Sequence, residues 1–65
     1  MMEKLPHETE RMFERRKKVY EKATNAKETQ ADAVKLANIW ANIEYFGCTY
    51  NQELTQRAKF YGQSV

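Results

Sequence analysis

The sequence predicts an all-α protein, a small three-helix bundle, from three observations. Three segments carry apolar residues at helical spacing, with polar residues or glycine between them. The two glycines and the single proline all fall at the ends of these segments. The chain has 65 residues, of which 42% are hydrophobic, so it can form one core, although a domain of this size buries only about 60% of its unfolded surface. We expect one helical domain over residues 5–62, with tails at residues 1–4 and 63–65.

The first helix is predicted over residues 6–24. Pro6 suits the first turn of a helix because it has no N–H to leave unsatisfied. Glu8 and Glu10 place negative charge near the positive end of the helix dipole. Asn25 is expected to adopt the left-handed conformation that ends many helices.

The second helix is predicted over residues 30–46. Thr29 and Asp32 resemble a capping box at its start, and Gly47 is expected to end it. Its apolar residues cover about half of the circumference at about 100° per residue. A helix with so wide an apolar arc packs against both neighbours, so we expect the second helix to be the centre of the domain.

The third helix is predicted over residues 51–61. Asn51 is a good N-cap, Glu53 adds negative charge to the first turn, and Gly62 ends the segment. This helix has only a narrow apolar stripe, which consists of Leu54, Ala58 and Tyr61.

Two charged residues interrupt the apolar stripes. Arg16 lies within the stripe of the first helix, and Glu44 lies within the arc of the second. One interpretation places both at the rim of the core, with buried stems and charges in water. The other pairs them across the two helices, because an unpaired buried charge is costly.

Residues that could support catalysis or metal binding are scarce. His7 is the only histidine and Cys48 the only cysteine, and nothing in the sequence brings them together. One His and one Cys cannot form a structural zinc site on their own, and there is no glycine-rich phosphate loop. No apolar run approaches the length of a membrane span. We therefore predict a protein that is not an enzyme, with no cofactor, no metal and no membrane contact.

The first helix also carries the densest charge in the chain. Six basic residues stand between positions 11 and 22, against two acidic ones. One interpretation is a small basic RNA-binding helical domain that uses Arg15, Lys17, Lys18 and Lys22. The other is a solvated helix face in which Glu14 and Lys18 form an i,i+4 pair. No aromatic or glycine-rich element accompanies the run, so direct nucleic-acid contact is not expected.

One aromatic residue stands where a loop is predicted. Tyr50 lies in the segment GCTYN, between the glycine that ends the second helix and the Asn51 cap of the third. Phe46, Tyr45 and Phe60 add more aromatic area than three short helices need for a core. Tyrosine is favoured at protein interfaces because it combines a large rigid ring with a polar tip. A loop held at both ends can present such a ring to a partner.

The segment IWANIEYFGCTYNQEL resembles the signature of the XTBD family, whose domains bind the nuclear 5′→3′ exoribonuclease of the Xrn type. The resemblance rests on Trp40-Ala41-Asn42, Gly47-Cys48 and Tyr50-Asn51. A weaker resemblance extends to the first helix, where Phe13 and Arg16 match the family's aromatic–x–x–Arg pattern.

This resemblance implies a nuclear, all-helical adaptor that binds the exoribonuclease and stabilises or recruits it in RNA turnover. Small-RNA turnover and transcription termination are the implied settings, and no obligate homo-oligomer is expected. The family's interface tyrosine corresponds to Tyr50, in its Gly-Cys-x-Tyr setting. We expect the partner-binding residues to be Tyr50, Phe46, Cys48, Asn51 and Arg16.

Overall fold

The computed structural model of the protein describes residues 2–63. This part of the chain forms three helices, α1 (Glu10–Asn25), α2 (Gln30–Phe46) and α3 (Gln52–Tyr61), and contains no strand. The predicted all-α fold, a small three-helix bundle, is confirmed. Residues 1, 64 and 65, which belong to the predicted tails, lie outside the described residues.

Helix α2 lies at the centre of the bundle and packs against both other helices. It supplies six of the nine buried apolar side chains of the described chain, which is why its apolar arc is the widest. Leu36 of α2 and Val19 of α1 are the largest fully buried side chains. Each contributes about 1.5–3 kcal/mol of stability through its removal from water.

The ends of α2 and α3 follow the sequence closely. Thr29 Oγ1 accepts the N–H of Asp32 at 3.1 Å, and Asn51 Oδ1 accepts the N–H of Leu54 at 2.9 Å. Gly47 ends α2 in the left-handed region, with a φ of 65°, where a residue without a Cβ has no steric penalty. Asn51 is therefore the cap that precedes α3, while the helix itself starts one residue later.

Helix α1 begins at Glu10, so the predicted start at Pro6 is wrong. Pro6 lies in a turn, which Glu8 closes by donating its N–H to the carbonyl oxygen of Leu5 at 3.0 Å. Thr9 then caps the helix by accepting, on Oγ1, the N–H of the third residue beyond it at 3.2 Å. A helix that started at Pro6 would have Leu5 at its N-cap position, and leucine has no side-chain acceptor for the first N–H groups. The Thr9 cap satisfies one of these donors.

The end of α1 also differs from the prediction. Asn25 is the last helical residue, and Lys27 is the residue with positive φ, at 70°. Glu28 donates its N–H to the carbonyl oxygen of Ala23, and Lys27 donates to that of Thr24, both at 3.1 Å. These two bonds form a Schellman motif, which offsets the steric cost of the left-handed conformation at a residue other than glycine.

Glu28 ties the turn between α1 and α2 to helix α3. Its Oε1 accepts a hydrogen bond from Arg57 Nη2 at 2.7 Å, and its Oε2 accepts one from the Tyr61 hydroxyl at 2.8 Å. The hydrogen bond from Arg57, followed by that from Tyr61, lowers the pKa of Glu28 below its usual value. The short helix α3 is thereby fixed by polar contacts in addition to its small apolar stripe.

Gly62 allows the end of α3 to approach the indole ring of Trp40. A Cβ placed on Gly62 would overlap Nε1 and Cδ1 of that ring and lie 3.0 Å from Cε2. Trp40 is only 3% exposed, so the ring has little room to move. We expect Gly62→Ala to lower the free energy of unfolding by about 1–3 kcal/mol, the usual cost of overpacking. Urea denaturation followed by circular dichroism measures this, with Gln63→Ala, at the exposed neighbouring position, as the matched control. Equal midpoints for the two variants would contradict the prediction.

Candidate partner-binding surface

Arg16 lies inside the protein, with 3% of its surface exposed. Its guanidinium donates two hydrogen bonds to the Glu8 carboxylate, from Nε to Oε2 at 2.7 Å and from Nη2 to Oε1 at 2.9 Å. It also donates from Nη1 to Asn38 Oδ1 at 2.7 Å and from Nη2 to the carbonyl oxygen of Glu3 at 2.6 Å. This bidentate pair is the geometry in which a buried guanidinium and carboxylate compensate each other best.

Both interpretations of Arg16 from the sequence are therefore wrong. Its charge is not in water, and its partner is Glu8 rather than Glu44, which is exposed on the last turns of α2. Glu8 reaches Arg16 because the chain before α1 turns back across the helix. With so little of its surface exposed, Arg16 offers almost no area of its own to a partner.

The segment before α1 is held against the bundle by this ion pair. Burial alone would raise the pKa of Glu8, but the hydrogen bonds from Arg16 and from the Leu5 N–H, together with the Arg16 charge, outweigh it and lower the pKa. Met2 packs at the edge of the core. The same segment brings the ring of His7 edge-on to that of Phe46, with 5.3 Å between centroids.

A pocket of about 180 Å³ lies between this segment and helix α2. The buried Glu8–Arg16 pair contributes to its lining. The remaining lining residues come from the segment and from one face of α2, and they are Leu5, His7, Asn38, Ala41, Asn42 and Tyr45. Tyr45 is fixed in place by its hydroxyl, which donates to the carbonyl oxygen of Met12 at 3.0 Å.

Tyr50 lies beside the pocket and contacts helix α2 through Asn42. It is 36% exposed, and its hydroxyl accepts a hydrogen bond from Asn42 Nδ2 at 2.9 Å. The loop is closed by Thr55, whose hydroxyl donates to the Tyr50 carbonyl oxygen at 3.3 Å, and by Cys48, whose N–H donates to the Asn42 carbonyl oxygen at 3.3 Å. The sequence predicted an exposed ring here, but it did not predict that Asn42 orients it.

The other predicted binding residues occupy different positions around Tyr50. Phe46 is 59% exposed and contacts the rings of His7 and Tyr45. Cys48 is exposed and is a free thiol. Asn51 is also exposed, but its side-chain oxygen caps α3. We call the area formed by Tyr50, Asn42, His7 and Phe46, together with the pocket that His7 and Asn42 line, the docking surface.

Sequence comparison places the chain in a known family. The family model for the XRN-Two Binding Domain, XTBD, matches residues 2–65. The chain belongs to the XTBD family. Domains of this family bind XRN-type exoribonucleases and are protein-binding rather than catalytic domains. Searches among curated proteins and among solved structures gave no match to this chain.

The described residues were searched for metal-binding groups and for membrane-spanning helices. Within residues 2–63, no group of three or more His, Cys, Asp or Glu side chains is arranged to hold a metal ion. None of the three helices has both the length and the apolar character needed to cross a membrane. The features of this XTBD domain that carry chemical information are exposed aromatic rings, amide side chains and a buried ion pair, which together suit protein recognition.

Proposed function

We propose that this XTBD domain is a non-catalytic adaptor that binds the nuclear 5′→3′ exoribonuclease through the docking surface. Binding stabilises or recruits the enzyme in RNA turnover, including that of small RNAs, and in transcription termination. The domain acts in the nucleus, and it needs no obligate homo-oligomer for this role. The observation that carries the proposal is the exposed Tyr50 ring, fixed by Asn42 beside a pocket.

The geometry of Tyr50 supports a role as an interface anchor. Interface anchors are enriched in tyrosine, and an anchor that is already ordered loses less conformational entropy when it binds. The hydrogen bond from Asn42 and the closed loop hold the ring before any partner arrives. Phe46 adds exposed apolar area on the other side of the pocket, so a partner covering both rings would bury a central apolar patch with a polar edge.

The buried Glu8–Arg16 pair supports the same surface from below. It holds the segment that carries His7, and it orients Asn38 on the pocket-facing side of α2. Rigid support from buried side chains is what keeps a binding surface in its productive geometry. Arg16 thus serves binding as a positioning residue.

Direct binding to the purified exoribonuclease tests the proposal. A pull-down is run with and without nuclease treatment to remove RNA, and sedimentation then measures the size of the complex. We expect a complex of one domain with one enzyme that is unaffected by RNA removal. Failure to bind would contradict the proposal, and binding that disappears with the RNA would show that RNA bridges the two proteins.

A further inference from the structure

Helix α1 carries a line of basic residues on one side. Positions separated by four, three and four residues fall on a single line along a helix. We call this line the basic stripe, and it consists of Arg11, Arg15, Lys18 and Lys22. Lys17 lies off this line and points to other groups. Its Nζ pairs with Glu14 at 3.0 Å and lies 4.7 Å from the centroid of the Phe13 ring. The predicted pair of Glu14 with Lys18 does not form.

The basic stripe lies on a different side of α1 from the docking surface. Arg16 points from α1 to Asn38 on the pocket side of α2. Arg15, the next residue along the backbone, instead places its guanidinium carbon 5.3 Å from the centroid of the Trp40 ring. Trp40 is the residue that the end of α3 covers. A ligand on the stripe and a partner on the docking surface can therefore bind without overlap.

Three of the four charges of the basic stripe are not balanced by an ion pair. Among the ion pairs of residues 2–63, none joins a carboxylate to Arg11, Arg15 or Lys18. Like charges at i,i+3 and i,i+4 positions destabilise a helix. The net charge of the chain is only +2, so the stripe is a local concentration of positive charge. Negative groups of a partner would relieve this repulsion.

We propose that the basic stripe binds an acidic segment of a partner protein. Its charges follow one another at about 4.5–6 Å along the helix axis, close to the spacing of about 6.7 Å between alternate side chains of an extended peptide. Single-stranded RNA is bound through exposed aromatic rings in addition to charge. The ring in contact with the stripe belongs to Trp40, which is 3% exposed and covered by Arg15. Carboxylates need only the charges, so an acidic peptide fits better than single-stranded RNA.

Fluorescence anisotropy with a labelled peptide of alternating Glu and Ser tests the proposal. A peptide of alternating Gln and Ser is the neutral control, and single-stranded oligouridine and an RNA duplex are the nucleic-acid probes. The stripe variant combines Arg11→Gln, Lys18→Gln and Lys22→Gln, and it keeps Arg15 so that the contact with Trp40 remains. The matched control combines Lys27→Gln, Lys35→Gln and Lys59→Gln, which removes the same charge from other exposed positions.

We expect the acidic peptide to bind and the neutral peptide not to bind. The stripe variant should bind about tenfold more weakly, and the control variant should stay within about twofold of the wild-type protein. Raising the salt from about 0.05 M to about 0.3 M should weaken binding strongly. Nuclear magnetic resonance of the unmodified domain gives a second measurement, since the peptide should shift the amide signals of α1 and leave those around Tyr50 unchanged.

Four results would overturn this proposal. They are an absence of peptide binding at low salt, an equal loss in the two triple variants, tighter binding of either RNA probe with the same dependence on the stripe, and a stripe-dependent dimer in sedimentation. The third would assign the stripe to RNA, and the fourth to a second copy of the chain. None of them depends on whether the docking surface binds the exoribonuclease, so the two proposals fail separately.

Discussion

Replacing Arg16 with methionine is expected to lower the free energy of unfolding by about 3–5 kcal/mol, the cost of leaving one member of a buried ion pair alone. Glu8 would keep its carboxylate in a site where its main hydrogen-bond donors are gone. Domains of this size have only a few kcal/mol of stability, so a large fraction of the molecules should be unfolded at room temperature. Urea denaturation followed by circular dichroism measures the loss. Glu8→Gln, which removes the charge from the other side of the pair, should have an effect of similar size.

An exposed ion pair provides the control for this experiment. Lys4 and Glu10 lie 3.2 Å apart with both side chains in solvent, and Lys4→Gln should change stability by no more than about 1 kcal/mol. The pH dependence of the free energy of unfolding measures the contribution of the buried pair independently. The pKa of Glu8 is lowered in the folded protein, so its contribution is present above the unfolded value and is lost as the pH falls through the folded value. Glu8→Gln should therefore flatten the loss of stability in acid, and an unchanged acid profile would show that the pair contributes little.

The helix ends that the sequence predicted correctly depend on short-range contacts. Thr29 and Asn51 cap helices through the N–H three residues away, and Gly47 supplies a positive φ by itself. The start of α1 was missed for a tertiary reason. The sequence predicts a start at Pro6, whereas the turn that directs Glu8 to Arg16 moves the start to the Thr9 cap.

In the docking surface, too, some residues could be predicted from the local sequence, whereas others depend on the tertiary fold. Tyr50 could be predicted because its loop is bounded by a glycine stop and an N-cap, both visible in the sequence. The hydrogen bond from Asn42 to Tyr50 could not be predicted, because it depends on how the loop folds back. His7 was considered only as a catalytic or metal-binding residue, and its place beside Phe46 requires the Glu8–Arg16 pair. These contacts join distant parts of the chain, and helical periodicity carries no information about them.

Tyr50→Ala is expected to weaken binding to the exoribonuclease by about 2 kcal/mol or more, which corresponds to about 30-fold in Kd. The loss arises because the ring supplies preordered contact area that alanine lacks. Helicity should not change, since Tyr50 is exposed and lies outside the helices. Calorimetry measures the affinity, and circular dichroism checks the fold. Phe60→Ala is the matched control, because Phe60 is a 63% exposed ring on α3 outside the docking surface, and its removal should leave the affinity unchanged.

Asn42→Ala separates two contributions of Tyr50 to binding, the contact area of its ring and the fixed orientation of that ring. This variant keeps the ring but removes the donor that holds the hydroxyl, so the ring must be ordered during binding. We expect a smaller loss than for Tyr50→Ala, about 0.5–1.5 kcal/mol, the cost of ordering one side chain. Tyr50→Phe should lose a similar amount if the hydroxyl acts only through Asn42. A full loss in Tyr50→Phe with no loss in Asn42→Ala would instead mean that the hydroxyl bonds directly to the enzyme, and that Asn42 releases it on binding.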